Sequence, residues 1–344
     1  MRYETKNDIQ YNATYNLDRL DGKFLPLNGN YKRNMKGGGK GVTVYVLDSG
    51  IRSSHVEFDQ NRATCGYDTI LGYESDIPCE DLHGHGTHVA GLIGGKTVGV
   101  ANQVNIVSVK VAPREFTFDG GAVLYGIQYV LLEKLRNLTK PMVVNMSFGG
   151  DAFLLLDFMV EALLTVGVTV VTSAGNDGIN ACSQSPAGVN GVLTVGASDD
   201  IDIVPWWSNY GSCVDVYAPG VNIISAGKRD DTRYVMGSGT SQSSPLVAGT
   251  AALYLQIQPT LTPEQIFRLI VLDSVKNVLK PGSPQSIRND TTTTMSVQIS
   301  KNRLLQTGIF TDTHPRRSNP TCPYTGQKIH LCYTEGWWVL QNET

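Results

Sequence analysis

Short, nearly continuous apolar runs recur along the chain, and between them lie segments whose apolar residues follow a helical spacing. Continuous apolar strands are typical of a parallel sheet covered on both faces, and the helical segments are predicted to cover it. The alternation predicts a three-layer α/β/α fold, doubly wound around a central, mostly parallel sheet. The strands are predicted at residues 42–47, 104–111, 142–146, 168–172 and 192–195, and the helices at 122–135, 153–164, 246–257 and 263–272.

The junctions between strands and helices are the places where this class of fold is expected to carry chemistry. Open α/β sheets place ligands at the carboxyl ends of their strands and at the helix N-termini that follow. Thr262 is the expected N-cap of the last predicted helix, because its hydroxyl can accept from exposed backbone N–H groups. The glycines at 237 and 239 predict a tight turn that lifts Ser241 to a helix N-terminus, with Pro245 still in the tolerant first turn.

The composition supports a sizeable core and argues against several classes of partner. Of the 344 residues, 41% are apolar, which excludes a disordered chain. The formal net charge is -3, so the chain lacks the cationic field that nucleic acid or an anionic membrane would require. Every apolar run is far shorter than the roughly 18 residues that span a bilayer. We therefore expect a soluble monomer with no nucleic-acid and no membrane partner.

The cysteines indicate the compartment in which the protein works. Six cysteines lie in the sequence as three local pairs, and none has the C-x-x-C spacing of a zinc or redox site. An oxidising compartment fits this pattern best, so we expect a secreted or extracellular protein. The first residues, Met1 to Lys6, lack the apolar stretch of a secretory signal, and we expect that any signal has been removed from this chain.

Three polar residues at strand and helix junctions form a candidate catalytic set. Asp48 ends the first predicted strand, His85 lies in a histidine-rich segment, and Ser241 precedes an apolar helix. Alone, each of these residues is more often a turn, core or capping residue. A metal site of His83, His85 and His88 is disfavoured, because no Glu follows His85 as in the H-E-x-x-H motif. Together they supply a nucleophile, a base and a carboxylate that orients the base.

The order of these residues along the chain separates the known serine hydrolases. The α/β-hydrolases run Ser, Asp or Glu, His and need G-x-S-x-G, but Gly239-Thr-Ser241-Gln-Ser243 lacks the second glycine. The chymotrypsin order places His before Asp on an all-β fold, so only the order of subtilisin remains. Asn176 follows the strand at 168–172 and offers a side-chain amide for a tetrahedral oxyanion.

These residues together resemble the subtilisin-like serine protease family, and most closely its proteinase K-like, aqualysin-type branch. The resemblance spans roughly residues 16–310 and rests on four ordered segments, Val46–Ile51, His85–Gly91, Ser173–Asn176 and Gly239–Pro245. It implies a serine endopeptidase with Asp48, His85 and Ser241 as its triad and Asn176 as an oxyanion donor. The implied organisation is an N-terminal lead-in at 1–40, a catalytic domain at 41–310 and a cysteine-containing tail at 311–344.

The resemblance also implies how a polypeptide substrate binds. One segment would pair with the substrate as an extra strand and a second would line the pocket for the residue before the scissile bond. Main-chain pairing tolerates many sequences, and neither segment carries a charged residue, so we predict broad cleavage after apolar or aromatic residues. The pairing segment is Ser147, Phe148, Gly149 and Gly150, and the pocket segment is Ser173, Ala174 and Gly175.

A structural calcium ion and a set of disulfides follow from the same resemblance. Calcium stabilises relatives of this kind, and the matching positions are the Asp215 carboxylate with the backbone carbonyls of Asn190 and Val192, an oxygen set that suits Ca²⁺. The pair Cys182 and Cys213 matches an aqualysin-type disulfide. Cys79 also matches a cysteine of that group, but its usual partner is missing, so Cys65 is predicted to pair with it. The remaining predicted pair is Cys322 with Cys332.

The chain departs from the family pattern next to the nucleophile. Gln242 stands where the family has Met, and Leu246 stands where it has His. Without that methionine, we expect peroxide not to inactivate the protein by sulfoxide formation beside Ser241. The family's inhibitory pro-region has no counterpart in this sequence, so we expect either that it has been cleaved before this chain begins or that this member folds without it. A catalytically silent protein that binds a partner through the protease fold is the alternative, because fold alone does not guarantee activity.

Overall fold

The fold was analysed in a computed structural model of the chain. The structure describes residues 5–6, 9–33, 37–72, 75–283, 285–286, 294–295, 298–307, 329–334 and 337–342.

A nine-stranded sheet organises the molecule. Its spatial order is β2-β3-β1-β4-β5-β6-β7-β9-β8, and every neighbouring pair is parallel except β8 with β9. The strands in chain order are Thr43–Asp48 (β1), Ala63–Asp68 (β2), Asn105–Lys110 (β3), Met142–Met146 (β4), Thr169–Ser173 (β5), Leu193–Ser198 (β6), Val216–Pro219 (β7), Val275–Lys276 (β8) and Arg303–Leu304 (β9).

Helices cover both faces of this sheet. They are Tyr15–Asp21 (α1), His85–Gly94 (α2), Gly120–Arg136 (α3), Leu154–Thr165 (α4), Thr240–Ile257 (α5) and Pro263–Asp273 (α6). Strand β1 shows the two faces, since Val44 and Val46 pack into the core with α2 and α5, whereas Tyr45 and Leu47 pack with α3 and α4. All four side chains are almost completely buried. The predicted three-layer α/β/α fold is therefore confirmed.

Short 3₁₀ helices and small sheets lie outside the main sheet. Two 3₁₀ helices span Val56–Asn61 and Ala181–Ser183. The small sheets are Thr5–Lys6 with Ile9–Tyr11 and Asn30–Lys32, Gly150–Asp151 with Gln184–Ser185, Ile203–Val204 with Lys280–Pro281, Ile223–Ala226 with Tyr234–Gly237, Gln285–Ser286 with Thr294–Met295, and Ile329–Thr334 with Trp337–Asn342.

The predicted element boundaries differ most at α5. This helix begins at Thr240, six residues earlier than the apolar pattern predicted, because its first turns are polar. Pro245 is thus the sixth helical residue, and the prediction that it lies in the first turn was wrong. At α6, Thr262 is the N-cap as predicted and forms a capping box with Gln265.

Two disulfides join neighbouring parts of the chain. Cys65 pairs with Cys79 and Cys182 pairs with Cys213, with Cα atoms 5.6 and 5.3 Å apart, as predicted. The predicted pairing of Cys322 with Cys332 lies outside the residues whose side chains the structure describes. Within the described part of the chain, no helix has the length and apolar character needed to cross a membrane.

Candidate active site

Asp48 is a buried carboxylate at the carboxyl end of β1. It has no exposed surface, and its two oxygens lie 2.9 and 3.0 Å from Nδ1 of His85. The backbone N–H of Ser49 also donates to Asp48 Oδ1 at 2.8 Å. A carboxylate held in this way fixes the orientation of the imidazole and keeps the proton on Nδ1, so that Nε2 is the ring nitrogen available as a base.

A second carboxylate holds the helix that carries His85. Asp81 accepts from the backbone N–H of Gly84 at 2.6 Å and from that of Thr87 at 2.9 Å, at the start of α2. It also accepts from the Ser49 hydroxyl at 2.8 Å, which links the helix start to the residue after Asp48. Sequence analysis missed Asp81, although its place four residues before His85 was a usable signal.

Gly86 explains how α2 comes so close to β1. A Cβ atom at Gly86 would lie 2.1 Å from the carbonyl oxygen of Gly50 and 3.1 Å from Cβ of Asp48. Only a residue without a side chain therefore lets the helix start approach the strand end closely enough for His85 to reach Asp48.

The surroundings of His85 set its basicity. Burial lowers the pKa of His85, but the charge of Asp48 and its hydrogen bond, with a contribution from Asp81, outweigh this and raise the pKa above its ordinary value. The neighbouring His83 has a lowered pKa because of its burial and the proximity of His85. The site therefore favours the protonated state at His85 and not at His83.

Ser241 is the second residue of α5, where the first backbone N–H groups of a helix have no intrahelical acceptor. Its hydroxyl donates to the carbonyl oxygen of Ser147 at 2.9 Å. Ser147 directly follows β4, so the two serines meet at the same carboxyl edge of the sheet as Asp48. The helix N-terminus places partial positive charge beside the hydroxyl.

The hydroxyl of Ser147 replaces a backbone hydrogen bond that is missing near the start of α5. Pro245 has no N–H to donate to the carbonyl of Ser241, and the Ser147 hydroxyl donates to that carbonyl instead, at 3.1 Å. Asn145 Nδ2 and the Ser244 hydroxyl lie 2.8 and 2.9 Å from the Ser147 oxygen. Ser147, which was predicted only to pair with a substrate, thus also fixes the backbone around Ser241.

Asn176 lies beyond the end of β5, and its amide is oriented by the residue before Ser241. Asn176 Oδ1 accepts from the backbone N–H of Thr240 at 2.8 Å and from its hydroxyl at 3.0 Å. The Thr240 hydroxyl in turn accepts from Gly175 N–H at 3.1 Å. Because Oδ1 is held by these donors, Nδ2 is the end of the amide that can serve an anion near Ser241. Sequence analysis did not identify Thr240.

The predicted substrate segments lie at the same edge. Ser173 and Ala174 are buried at the end of β5, and Gly175 has a φ of +100° at a point where a Cβ would lie 2.3 Å from Asn209 Nδ2. Phe148 is 7% exposed, whereas Gly149 and Gly150 are open to solvent. Both segments are therefore neighbours of Ser241, through Ser147 on one side and through Gly175 and Thr240 on the other.

Asp215, the one carboxylate among the predicted calcium donors, already has partners within the chain. Asp215 Oδ1 lies 2.8 Å from the ammonium of Lys301, and Oδ2 accepts from the backbone N–H of Thr194 at 3.1 Å. Burial raises the pKa of Asp215, and Lys301 opposes that shift. The carboxylate already has a cation of the chain itself as partner, and the prediction of calcium at Asp215, Asn190 and Val192 is not confirmed. Among the described residues, no group of three or more His, Cys, Asp or Glu side chains is arranged to hold a metal.

The order and placement of these residues agree with a comparison against known protein families. A model described as the subtilase family (peptidase S8) matches residues 39–297. The chain belongs to the subtilase family. Among its subtilase relatives, the extracellular serine proteinase of Thermus sp. (strain Rt41A) is 44% identical over 272 residues, which are 79% of this chain and 64% of that protein.

Further subtilase relatives extend the comparison. The alkaline serine exoprotease A of Vibrio alginolyticus is 44% identical over 262 residues, 76% of this chain and 47% of that protein. The chain thus spans less than two thirds of the length of the Thermus and Vibrio proteins. The crystal structure of a cold adapted subtilisin-like serine proteinase matches with a TM-score of 0.75 at 40% identity, covering 86% of this chain and 98% of that one. The predicted resemblance to this family is confirmed.

Proposed function

We propose that this subtilase is a serine endopeptidase that hydrolyses peptide bonds through an acyl-enzyme on Ser241. The observation that carries the proposal is the buried carboxylate of Asp48 held against Nδ1 of His85, at the sheet edge where Ser241 lies in the first turn of α5. A serine hydroxyl is a weak nucleophile until a base accepts its proton, and this arrangement supplies that base.

In the first half of the reaction, the Ser241 hydroxyl turns from the Ser147 carbonyl to His85. Its proton passes to Nε2 as Oγ bonds to the substrate carbonyl carbon, and the carbonyl oxygen becomes an oxyanion. Asn176 Nδ2 and the backbone N–H of Ser241 donate to that oxyanion. The C–N bond then breaks, and the imidazolium gives its proton to the departing amine, leaving an ester on Ser241.

In the second half, water replaces the amine. His85 accepts a proton from the water as its oxygen attacks the ester carbon, and the same two donors stabilise the new oxyanion. The bond from the ester carbon to Oγ breaks, Ser241 recovers its proton from His85, and a carboxylic acid product leaves. The Asp48 carboxylate stabilises the imidazolium at each step.

The substrates of this proposal are polypeptides cleaved with broad specificity. The residue before the scissile bond would enter the pocket of Ser173, Ala174 and Gly175, where uncharged walls favour an apolar or aromatic side chain. The preceding residues would pair with Ser147 to Gly150 through backbone hydrogen bonds, which every peptide can form.

Related proposals concern where the enzyme works and what regulates it. We propose an extracellular enzyme, supported by the two disulfides and by the similarity to the extracellular serine proteinase of Thermus. We further propose that a pro-region inhibits the enzyme until it is cleaved, and that the mature enzyme is a monomer. The domain limits at 41–310, with a lead-in before and a tail after, also stay predictions.

The experiment is hydrolysis of two chromogenic peptides that differ only in the residue before the leaving group, Phe or Glu. We expect turnover of the Phe peptide, weak turnover of the Glu peptide, and loss of both in Ser241→Ala. Ser53→Ala, at an exposed serine, is the matched control and should behave as wild type. Equal turnover by Ser241→Ala and wild type would reject Ser241 as the nucleophile, and a preference for Glu would reject the proposed pocket.

A further inference from the structure

A row of aromatic rings leads away from His85 along one side of the cleft. The Phe116 ring contacts the His85 imidazole with ring centroids 4.3 Å apart and an interplanar angle of 49°. Phe116 meets Phe118 edge-on at 4.9 Å, and Phe118 stacks on Phe148 at 4.3 Å. We call Phe116, Phe118 and Phe148 the aromatic row. It connects the predicted base to the segment predicted to pair with a substrate.

The backbone at Phe116 adopts a conformation that a bulky residue rarely takes. Its φ is +56°, in the left-handed region, within a turn closed by the Phe116 N–H donating to the Pro113 carbonyl at 3.0 Å. Such a conformation is strained and persists where the surroundings enforce it, often at functional sites. In that conformation the ring also stacks on His83, at 4.4 Å and 16°.

The aromatic row keeps part of its surface available to a ligand. Phe116 and Phe118 are half-buried, so each keeps some exposed surface besides its contacts with neighbouring rings. Exposed apolar surface of this kind favours the binding of apolar side chains, because binding removes both surfaces from water.

If the proposed function holds, the position of the aromatic row indicates which residue of a bound substrate would lie beside it. The scissile bond must lie between Ser241 and His85, and the preceding residues run towards Phe148. Side chains alternate between the two faces of an extended chain, so the second residue before the bond points away from the pocket that takes the first. Phe116 is the member of the aromatic row that contacts His85, and it therefore lies nearest to the place that this second side chain would take.

We propose that Phe116 determines specificity by binding an apolar side chain at the second residue before the scissile bond. The inference rests on the proposed endopeptidase function and adds a second selected position to it. A polar side chain at that position loses water against the Phe116 ring and gains no hydrogen bond in return.

The test compares kcat/KM for two peptides that differ only at the second residue before the scissile bond, Leu or the similarly sized Gln. Phe116→Gly is the informative variant, because glycine adopts a positive φ without strain and the turn should still form. We expect wild type to prefer Leu about tenfold or more, and Phe116→Gly to lose about five- to tenfold of that preference. Phe116→Tyr, which keeps the ring, should retain it.

Phe158→Ala is the matched control, since Phe158 is 65% exposed on α4 and lies outside the aromatic row. It should leave the Leu to Gln ratio unchanged. An equal loss for both peptides in Phe116→Gly would mean that Phe116 only supports His85 and would overturn the inference, as would an unchanged ratio. Failure of wild type to cleave either peptide would instead overturn the proposed function, and the inference with it.

Discussion

At the scale of single residues, the site depends on side chains that hold other side chains. His85 is oriented by Asp48, the start of its helix is held by Asp81, and the amide of Asn176 is held by Thr240. None of these supporting contacts requires movement during the reaction. The donors and the base are therefore oriented before a substrate arrives, which is the main way that an enzyme stabilises developing charge.

A substitution at Thr240 tests whether its hydroxyl orients the Asn176 amide or contributes to substrate binding. Thr240→Val keeps the shape of the side chain but removes the hydroxyl that donates to Asn176 Oδ1 at 3.0 Å. We expect kcat to fall about ten- to hundredfold with little change in KM, because the Asn176 donor is needed most in the transition state. Steady-state kinetics on the Phe peptide measures both constants.

The control for this variant keeps the hydroxyl. Thr240→Ser should lie within about threefold of wild type, since its Oγ can form the same bond. In an Asn176→Ala background, Thr240→Val should add little further loss, because the two residues act through one donor. A full additional loss in that background would show that Thr240 acts by another route.

At the scale of elements, the ion pair of Lys301 and Asp215 joins two strands of the main sheet. Lys301 lies just before β9 and Asp215 just before β7, and β7 and β9 are neighbours in the sheet. The Asp215 side chain is 7% exposed and that of Lys301 is 38% exposed. The lysine therefore neutralises a largely buried carboxylate at the place where the family resemblance implied a calcium ion.

Removing Lys301 should destabilise the fold. For Lys301→Met we expect a loss of about 1–3 kcal/mol in the free energy of unfolding, below the ~3–5 kcal/mol of a fully buried pair because this lysine is partly solvated. Denaturant unfolding measures the loss. Lys96→Met is the matched control, since Lys96 is exposed and its partner Asp59 is only half-buried, and it should cost less than about 1 kcal/mol.

Adding calcium tests whether Asp215 pairs with Lys301 or binds the metal. If Lys301 has the role of the cation, calcium should shift the melting temperatures of wild type and of Asp215→Asn equally. A larger calcium shift in wild type would show that Asp215 binds the metal.

The sequence predicted five strands of the nine-stranded sheet, and it singled out four candidate site residues, because each of these left a local signal. Apolar runs marked β1 and β4, and glycine-flanked motifs marked His85 and Ser241. The contacts of Lys301 and Asp215 could not be predicted in this way, since 86 residues separate the two positions and neither has a characteristic neighbourhood. The start of α5 was misplaced because its first two turns carry no apolar pattern, and tertiary hydrogen bonds such as that from Ser147 stabilise it.

At the scale of the whole molecule, the topology of the sheet brings distant residues to one edge. Strand β1 lies between β3 and β4, and β5 follows β4, so the carboxyl ends of β1, β4 and β5 are adjacent. Asp48, Ser147 and Ser173 stand at those three ends, and α2 and α5 begin beside them. This is the edge at which open α/β sheets place their sites.

The most direct test of the proposed triad is the pH dependence with which a peptidyl phosphonate modifies Ser241, followed by peptide mapping from about pH 5 to about pH 9. His85 must be neutral to accept the serine proton, and its pKa is raised by Asp48. We therefore predict a single adduct at Ser241 whose rate of formation falls as the pH drops through a value above the ordinary histidine pKa of about 6.5. No adduct from folded protein, an adduct elsewhere, or a rate that does not change with pH would contradict the account.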